Sequence, residues 1–309
     1  MDTEHSRPGS APDSIAVDLI AVLVAVTEGD PRVLTVEDVN ALPSGPLQLG
    51  HRSLQAGLRA WVEQQTHHPP GYIEQLYTFA DQDRPGHHPG QRVISISYLG
   101  LTRERQAAAA THPRWQSWYS MFPWEDRRAG APVMLDTIAA RLSAWADQTS
   151  GMAHDERCQR AAITFGLGQY PWNEELILQR YELLHEAGLV PEAPHHVEPI
   201  AGQAMLSDHR RILATGIARL RAKIKYRPVV FGLMPDSFTL LQLQRCVEAI
   251  AGRLLHKQNF RRLIEQQELV EETGAIAITG GRPAKLFRFR REVLAERAVV
   301  GTKLPLSRG

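Results

Sequence analysis

The chain has 309 residues, room for two domains, and its 43% hydrophobic and 22% charged composition is that of a folded globular protein rather than a disordered one. The 35 basic and 34 acidic side chains nearly cancel, and no apolar run could span a bilayer: the longest, Ile15 to Val26, is interrupted by Asp18. The opening MDTEHSRPGSAPDS is polar and bears Pro, Gly and Ser, so a disordered tail over 1–14 is expected, with no signal peptide. Cys158 and Cys246 lack a CxxC partner and lie in helical-looking segments, which predicts buried, reduced thiols in a cytoplasmic protein.

In chain order, Ile15–Val26 and Arg32–Val36 are apolar and β-branched around Glu28-Gly29-Asp30-Pro31, the pattern of an antiparallel pair across a turn. Leu54, Leu58, Trp61 and Val62 recur at helical spacing, predicting an amphipathic helix over Leu54–Gln65. Tyr72–Phe79 and Arg92–Leu101 alternate as strands do, so the first hundred residues read as an α/β arrangement of strands around one helix. The middle is helical: Val133–Ala146 has an apolar face at Leu135, Ile138, Leu142 and Trp145, and Glu174–Ala187 ends at Gly188 as a C-cap. Pro191–Pro199 reads as a linker, with a domain boundary near Pro199. Asp208 is placed to cap a basic helix running to Tyr226, with Ile212, Leu213, Ile217, Leu220 and Ile224 inward and Arg219, Arg221, Lys223 and Lys225 as an ordinary solvated face.

From Phe238 onward the pattern changes. FTLLQLQRCVEAIAG gives a helix capped by Thr239, and a turn from Gly252 to Lys257 leads into a short polar helix, Gln258–Gln267. Two β-type runs follow, joined by Gly280-Gly281-Arg282-Pro283. Helix, turn, basic helix, hairpin is the order of a winged helix-turn-helix. Charge agrees: residues 208–291 hold 17 Lys/Arg against 7 Asp/Glu, a net of +10, and the remainder holds 18 against 27, a net of −9. Such asymmetry is the electrostatic footprint of a nucleic-acid partner. The 13 histidines include the adjacent pairs His67-His68, His87-His88 and His195-His196. Neighbours on an extended chain point to opposite faces, so these read as surface-loop residues and not as metal ligands.

From Gly45 the sequence fits the spacing of a Nudix hydrolase signature, whose glutamates hold divalent cations against a diphosphate. Gly45, Arg59, Trp61 and Glu63 occupy expected positions, but His51, Ala60, Gln64 and Thr66 stand where Glu, Glu, Glu and Gly are required. One helix carboxylate of three cannot bridge metal to a pyrophosphate, so catalysis by this route is expected to be lost.

YIEQLYTFADQDR, RVISISYLGL, PWNEELILQRYELLHEAGLV, FTLLQLQ, HKQNFRR and GGRPAKLFRF together resemble the Nudix-related transcriptional regulators of NAD metabolism, the NrtR/NadQ type, from about Val17 to Phe289. The resemblance implies α/β + α architecture: a degenerate Nudix-like effector domain over 15–150, a helical connector over 151–200, a winged helix-turn-helix domain over 201–295 and a tail over 296–309. It also implies a homodimeric cytoplasmic repressor of NAD biosynthesis or salvage genes that binds a double-stranded DNA operator. The effector would be NAD, ATP or ADP-ribose.

Carried onto this sequence, Thr239 and Gln242 fall where phosphate contacts are usual. Lys257, Asn259, Arg261 and Arg262 match the recognition helix, and Arg282 and Lys285 the wing. Arg261 and Arg262 lie about 100° apart on a helix, so one of the two is expected to face bases, while Phe260 and Leu263 face the core. An effector pocket is expected from Arg59 and Glu63 on the helix and Tyr77, Phe79, Asp81 and Arg92 on the flanking strands. The rival reading is an active Nudix-type nucleotide pyrophosphatase with an accessory nucleic-acid-binding domain, against which the missing glutamates count.

Overall fold

The structure is a computed structural model and describes residues 15–36, 40–80, 92–104, 113–195, 199–200, 202–226, 230–278, 283–293 and 295. The expected tails at 1–14 and 296–309 lie outside these residues.

A six-stranded mixed sheet organises the N-terminal part. It comprises β1 (Ile15–Thr27), β2 (Asp30–Thr35), β3 (Ser44–Pro46), β4 (Ile73–Phe79), β5 (Arg92–Leu101) and β6 (Arg114–Ser117). The strand order is β4-β5-β1-β2-β6, with β3 also on β1. β1 and β5 are parallel over their length, from Ile15↔Arg92 to Val24↔Leu101, and the remaining pairs are antiparallel. Glu28 and Gly29, both at positive φ, make the tight turn between β1 and β2 that twisted hairpins favour.

The seven residues Leu19–Ala25 are buried without exception because β1 is covered on both faces. Alternation sorts them. Leu19, Ala21 and Leu23 pack with Leu58 and Val62 of α1 (Leu54–Thr66), while Ile20, Val22 and Val24 face the helical mass on the other side.

That mass comprises α2 (Trp118–Met121), a 3-10 turn at Pro123–Glu125, α3 (Met134–Ala146), α4 (Met152–Phe165), a 3-10 turn at Glu174–Leu176, α5 (Ile177–Glu186) and α6 (His209–Tyr226). All five expected core residues of α6 are buried. Arg221, expected on its solvated face, is instead 1% exposed, and Arg210 is fully buried. α4 had no sequence assignment of its own. It is amphipathic only weakly, and its C-terminus is set by Gly166 in the left-handed region.

α7 (Leu240–Ala251), α8 (Lys257–Gln266) and the antiparallel hairpin β7 (Val270–Ala277) with β8 (Ala284–Phe289) complete the fold. A bridge between Phe238 and Phe287 lays the segment before α7 against the hairpin, and Phe289 packs on Phe231 and Phe238 at ring separations of 4.5 and 4.9 Å. One hydrophobic core runs unbroken from the sheet through α6 to Phe260, Ile264 and Phe289. Among the described residues no helix is long and apolar enough to cross a membrane.

Two further expectations fail on burial. Cys246 is buried, and desolvation pushes its thiol up to about 12, but Cys158 is exposed on α4. His68 is 7% exposed rather than in a surface loop, bonded to the Thr102 hydroxyl at 2.9 Å and set edge-on to Trp115.

Candidate nucleic-acid interface and effector domain

The two helices of the C-terminal unit are fixed by local chemistry. Thr239 and Gln242 form a reciprocal capping box: Thr239 Oγ1 accepts from Gln242 N at 3.1 Å, and Gln242 Oε1 accepts from Thr239 N at 2.7 Å. These two side chains, expected at phosphates, are thus engaged in closing the helix end, with Thr239 itself 8% exposed. At the other end Gly252 takes φ 72°, and a Cβ there would come within 2.4 Å of the Glu125 carbonyl oxygen. Only glycine fits.

α8 buries Phe260 and Ile264, while Leu263, expected in the core, is half-buried. The opposite face carries Gln258, Arg261, Arg262 and Glu265, all exposed. Gln258 and Glu265 are additions to the expected set. The i, i+4 and i, i+3 spacing from Arg262 puts all three on one stripe. Lys257 and Asn259 are also exposed, although Asn259 lines a cavity against α6 and α7. Arg282 at the wing tip lies outside the described residues. Lys285 projects from β8 with 66% of its side chain exposed, but is paired to Glu272 at 2.8 Å.

The charge asymmetry has a second cause besides DNA. Six of the basic residues counted in the C-terminal segment, Arg210, Arg211, Arg221, Lys223, Lys225 and Arg253, pair with carboxylates of the N-terminal body: Glu192, Glu182, Glu125, Glu74, Glu175 and Glu174. Much of the +10/−9 split is therefore complementarity within the chain. What remains for an external polyanion is concentrated on the reading helices: Arg245, Lys257, Arg261 and Arg262 are exposed and have no carboxylate partner among the described residues.

A buried polar cluster binds this unit to the body. Glu125 accepts from Arg180 Nε at 2.5 Å and Nη2 at 3.0 Å, and from Arg221 Nη1 at 2.5 Å, with all three side chains at most 1% exposed. Burial works to raise the Glu125 carboxyl, and the two guanidiniums outweigh it, leaving its pKa lowered. Arg221 Nε also donates to Ile250 O at 2.9 Å, the Tyr119 hydroxyl donates to Ala249 O at 2.7 Å, and Arg127 N donates to Gly252 O at 2.7 Å. The orphan carbonyls at the C-terminus of α7 are thereby satisfied by cations and donors of the body.

On the far face of the sheet, α1 and its preceding loop retain the shape of a Nudix loop-helix with Glu63 as its one remaining carboxylate. A Cβ on Gly45 would meet the Trp61 indole at 2.4 Å, Trp61 Nε1 donates to Pro46 O at 2.9 Å, and Gln65 grips both backbone groups of Ser44. His51, in place of an expected glutamate, accepts from Gln48 N at 3.1 Å. Arg59 donates to Pro70 O and Gly71 O at 2.5 and 2.8 Å, holding the loop after the helix, and Glu63 is exposed.

Of the expected pocket, Phe79 is a correction. It is 3% exposed, lies in the core on the opposite face of the sheet from α1, and its ring meets the Arg211 guanidinium at 5.4 Å. A β-bulge between Gln75 and Tyr77 shifts the alternation that had suggested otherwise. Tyr77 is 55% exposed and edges onto Phe79 at 4.9 Å. Arg92 holds its place in β5 opposite Ile15, but its side chain and all of Asp81 lie outside the described residues. Among the described residues no three His, Cys, Asp or Glu side chains gather as metal ligands would.

A Nudix-type α/β domain joined through helices to a winged helix-turn-helix is the architecture these elements define. Residues 230–289 match the family model of the NrtR DNA-binding winged helix domain. An 82-residue stretch is 44% identical to the ADPR responsive transcriptional repressor NtrR of Acinetobacter baylyi, covering 26% of this chain and about a third of that relative's length. The fold as a whole is shared with Shewanella oneidensis NrtR, solved in complex with a 27mer DNA: TM-score 0.55, 19% identity, over 90% of this chain and 95% of that one. A MutT/nudix family protein from Enterococcus faecalis is similar at TM-score 0.52 and 16% identity, over 90% and 89% of the two chains.

Proposed function

We propose that this chain is a DNA-binding transcriptional repressor of NAD biosynthesis or salvage genes, in which a non-catalytic Nudix-like domain senses an NAD-related adenine nucleotide. The observation that carries this reading is the pairing of an NrtR-type winged helix, whose reading helix presents Lys257, Arg261 and Arg262 with no carboxylate partner among the described residues, with a Nudix loop-helix that keeps a single carboxylate, Glu63. Phosphate-seeking cations on an exposed helix supply the salt-dependent part of operator affinity. A loop-helix lacking its metal carboxylates favours binding a diphosphate over cleaving one.

ADP-ribose is the leading effector, since the Acinetobacter relative is named for its response to it. In this reading the protein acts in the cytoplasm as a homodimer, because two-fold symmetry matches palindromic operators. The buried junction at Glu125 gives the sensor a rigid connection to α7, through which a nucleotide-induced change would reach the DNA-reading unit. The test is fluorescence anisotropy of the full chain on its own promoter duplex with and without ADP-ribose, NAD and ATP. One nucleotide should shift operator affinity about 5–150-fold, the range of ordinary allosteric coupling. Absence of operator binding, or binding that no nucleotide of this pool alters, would overturn the proposal.

A further inference from the structure

Between α6, the end of α7 and the start of α8 lies a cavity of about 350 Å³. Its volume is in the range of small-molecule sites, roughly 300–1,000 Å³. Val247, Phe260 and Leu263 give it apolar walls, and Arg221, Arg253 and His256 converge on it with Glu174 as the sole carboxylate among its lining residues. Glu174 ties two of these cations together: its side chain meets Arg253 at 3.1 Å and its backbone carbonyl accepts from Arg221 at 3.0 Å.

The electrostatics next to the cavity are unbalanced. Two buried guanidiniums, Arg180 and Arg221, share one carboxylate, Glu125, so the cluster carries a net positive charge away from water. The guanidiniums of Arg127 and Arg180 both lie over the Trp172 indole, at 4.4 and 3.9 Å from its centroid. Arg221 Nη2 is buried beside the Tyr119 hydroxyl and makes no hydrogen bond of good geometry among the described residues. The N-terminus of α8 ends at the same wall, and its N-cap His256 makes no side-chain cap. A buried positive excess, an unsatisfied guanidinium donor and an uncapped helix N-terminus all favour an anion.

We propose that this cavity is a second ligand site taking a small organic anion, with its carboxylate or phosphate head at Arg221 and Arg253 and a flat apolar body between Val247, Phe260 and Leu263. Its walls come from α6 on one side and α8 on the other. An occupant would therefore favour one placement of α8 on the body and bias DNA binding directly.

Calorimetric titration of the full chain with benzoate and with phenyl phosphate tests this, and benzamide serves as the neutral control. At least one anion should bind with Kd below ~1 mM and at least about tenfold tighter than benzamide. Comparing the two anions separates a carboxylate site from a phosphate site. Arg253→Glu, on an exposed turn, should abolish binding, as should Leu263→Trp, which fills the cavity; thermal melts verify that each variant folds. Saturating ADP-ribose should leave the anion titration in place, so this result is distinguishable from success or failure of nucleotide sensing. Absence of binding by both anions up to ~10 mM, equal binding of benzamide, or binding unchanged in folded Arg253→Glu and Leu263→Trp would overturn the site.

Discussion

Replacing Glu125 with Gln keeps the shape of the side chain and removes its charge. The carboxylate is fully buried and receives hydrogen bonds from Arg180 at 2.5 and 3.0 Å and from Arg221 at 2.5 Å. In Glu125→Gln one oxygen becomes an amide donor facing a guanidinium donor, and the cluster goes from one uncompensated positive charge to two. Removing one partner of a buried ion pair costs ~3–5 kcal/mol because the other charge stays buried. At roughly 2–3 °C per kcal/mol for a chain of this size, Tm should fall by about 6–15 °C.

The pH dependence gives an independent reading. The folded-state pKa of Glu125 is lowered from its ordinary value of 4.5, so its contribution is complete above that value and is lost as pH falls through the folded pKa. Urea melts of wild type and variant should therefore differ most near neutrality and converge in acid. Hydrogen exchange at the C-terminus of α7 should accelerate in the variant, since Arg221 also holds Ile250 O. A stability change below ~1 kcal/mol at pH 7, or curves that stay parallel into acid, would refute the assignment of this cluster as the junction between body and reading unit.

Three further outcomes are expected. In a salt series on the promoter duplex, Arg262→Ala should cost about 1–3 kcal/mol and relax preference at one base position, with Arg261→Ala as the alternative base reader. Lys285→Ala should alter the salt slope by less than the unit expected of a free phosphate-binding lysine, because Glu272 already pairs with it; no change in any of the three would defeat the interface. Incubation with ADP-ribose and Mg²⁺ or Mn²⁺ should release no AMP by chromatography, and metal-dependent turnover lost in Glu63→Gln would reinstate the hydrolase reading. A thiol reagent should label Cys158 in the native protein and Cys246 only on unfolding, since burial pushes the latter up to about 12; native labelling of Cys246 would contradict the packing of α7.

Patterns local in sequence were legible in this chain. Alternation and periodicity placed β1, β2, β4, β5, α1, α3 and α5 near their observed bounds, and Gly45, Trp61 and the helix-turn-helix-hairpin order disclosed both halves of the architecture. These signals reside in one element at a time, where backbone geometry alone sets the period. Only the tertiary structure decided where charges and aromatics ended up. Arg221 looked like one more basic residue on a solvated face, yet it is buried against a glutamate 96 positions earlier. Phe79 was an eligible stacking ring until a bulge turned it into the core behind the sheet. The +10 segment read as a DNA footprint, although six of its cations answer carboxylates on the body. A side chain's type and period fix the element it belongs to, but its partner comes from distant chain, and ion pairing and burial depend on that partner.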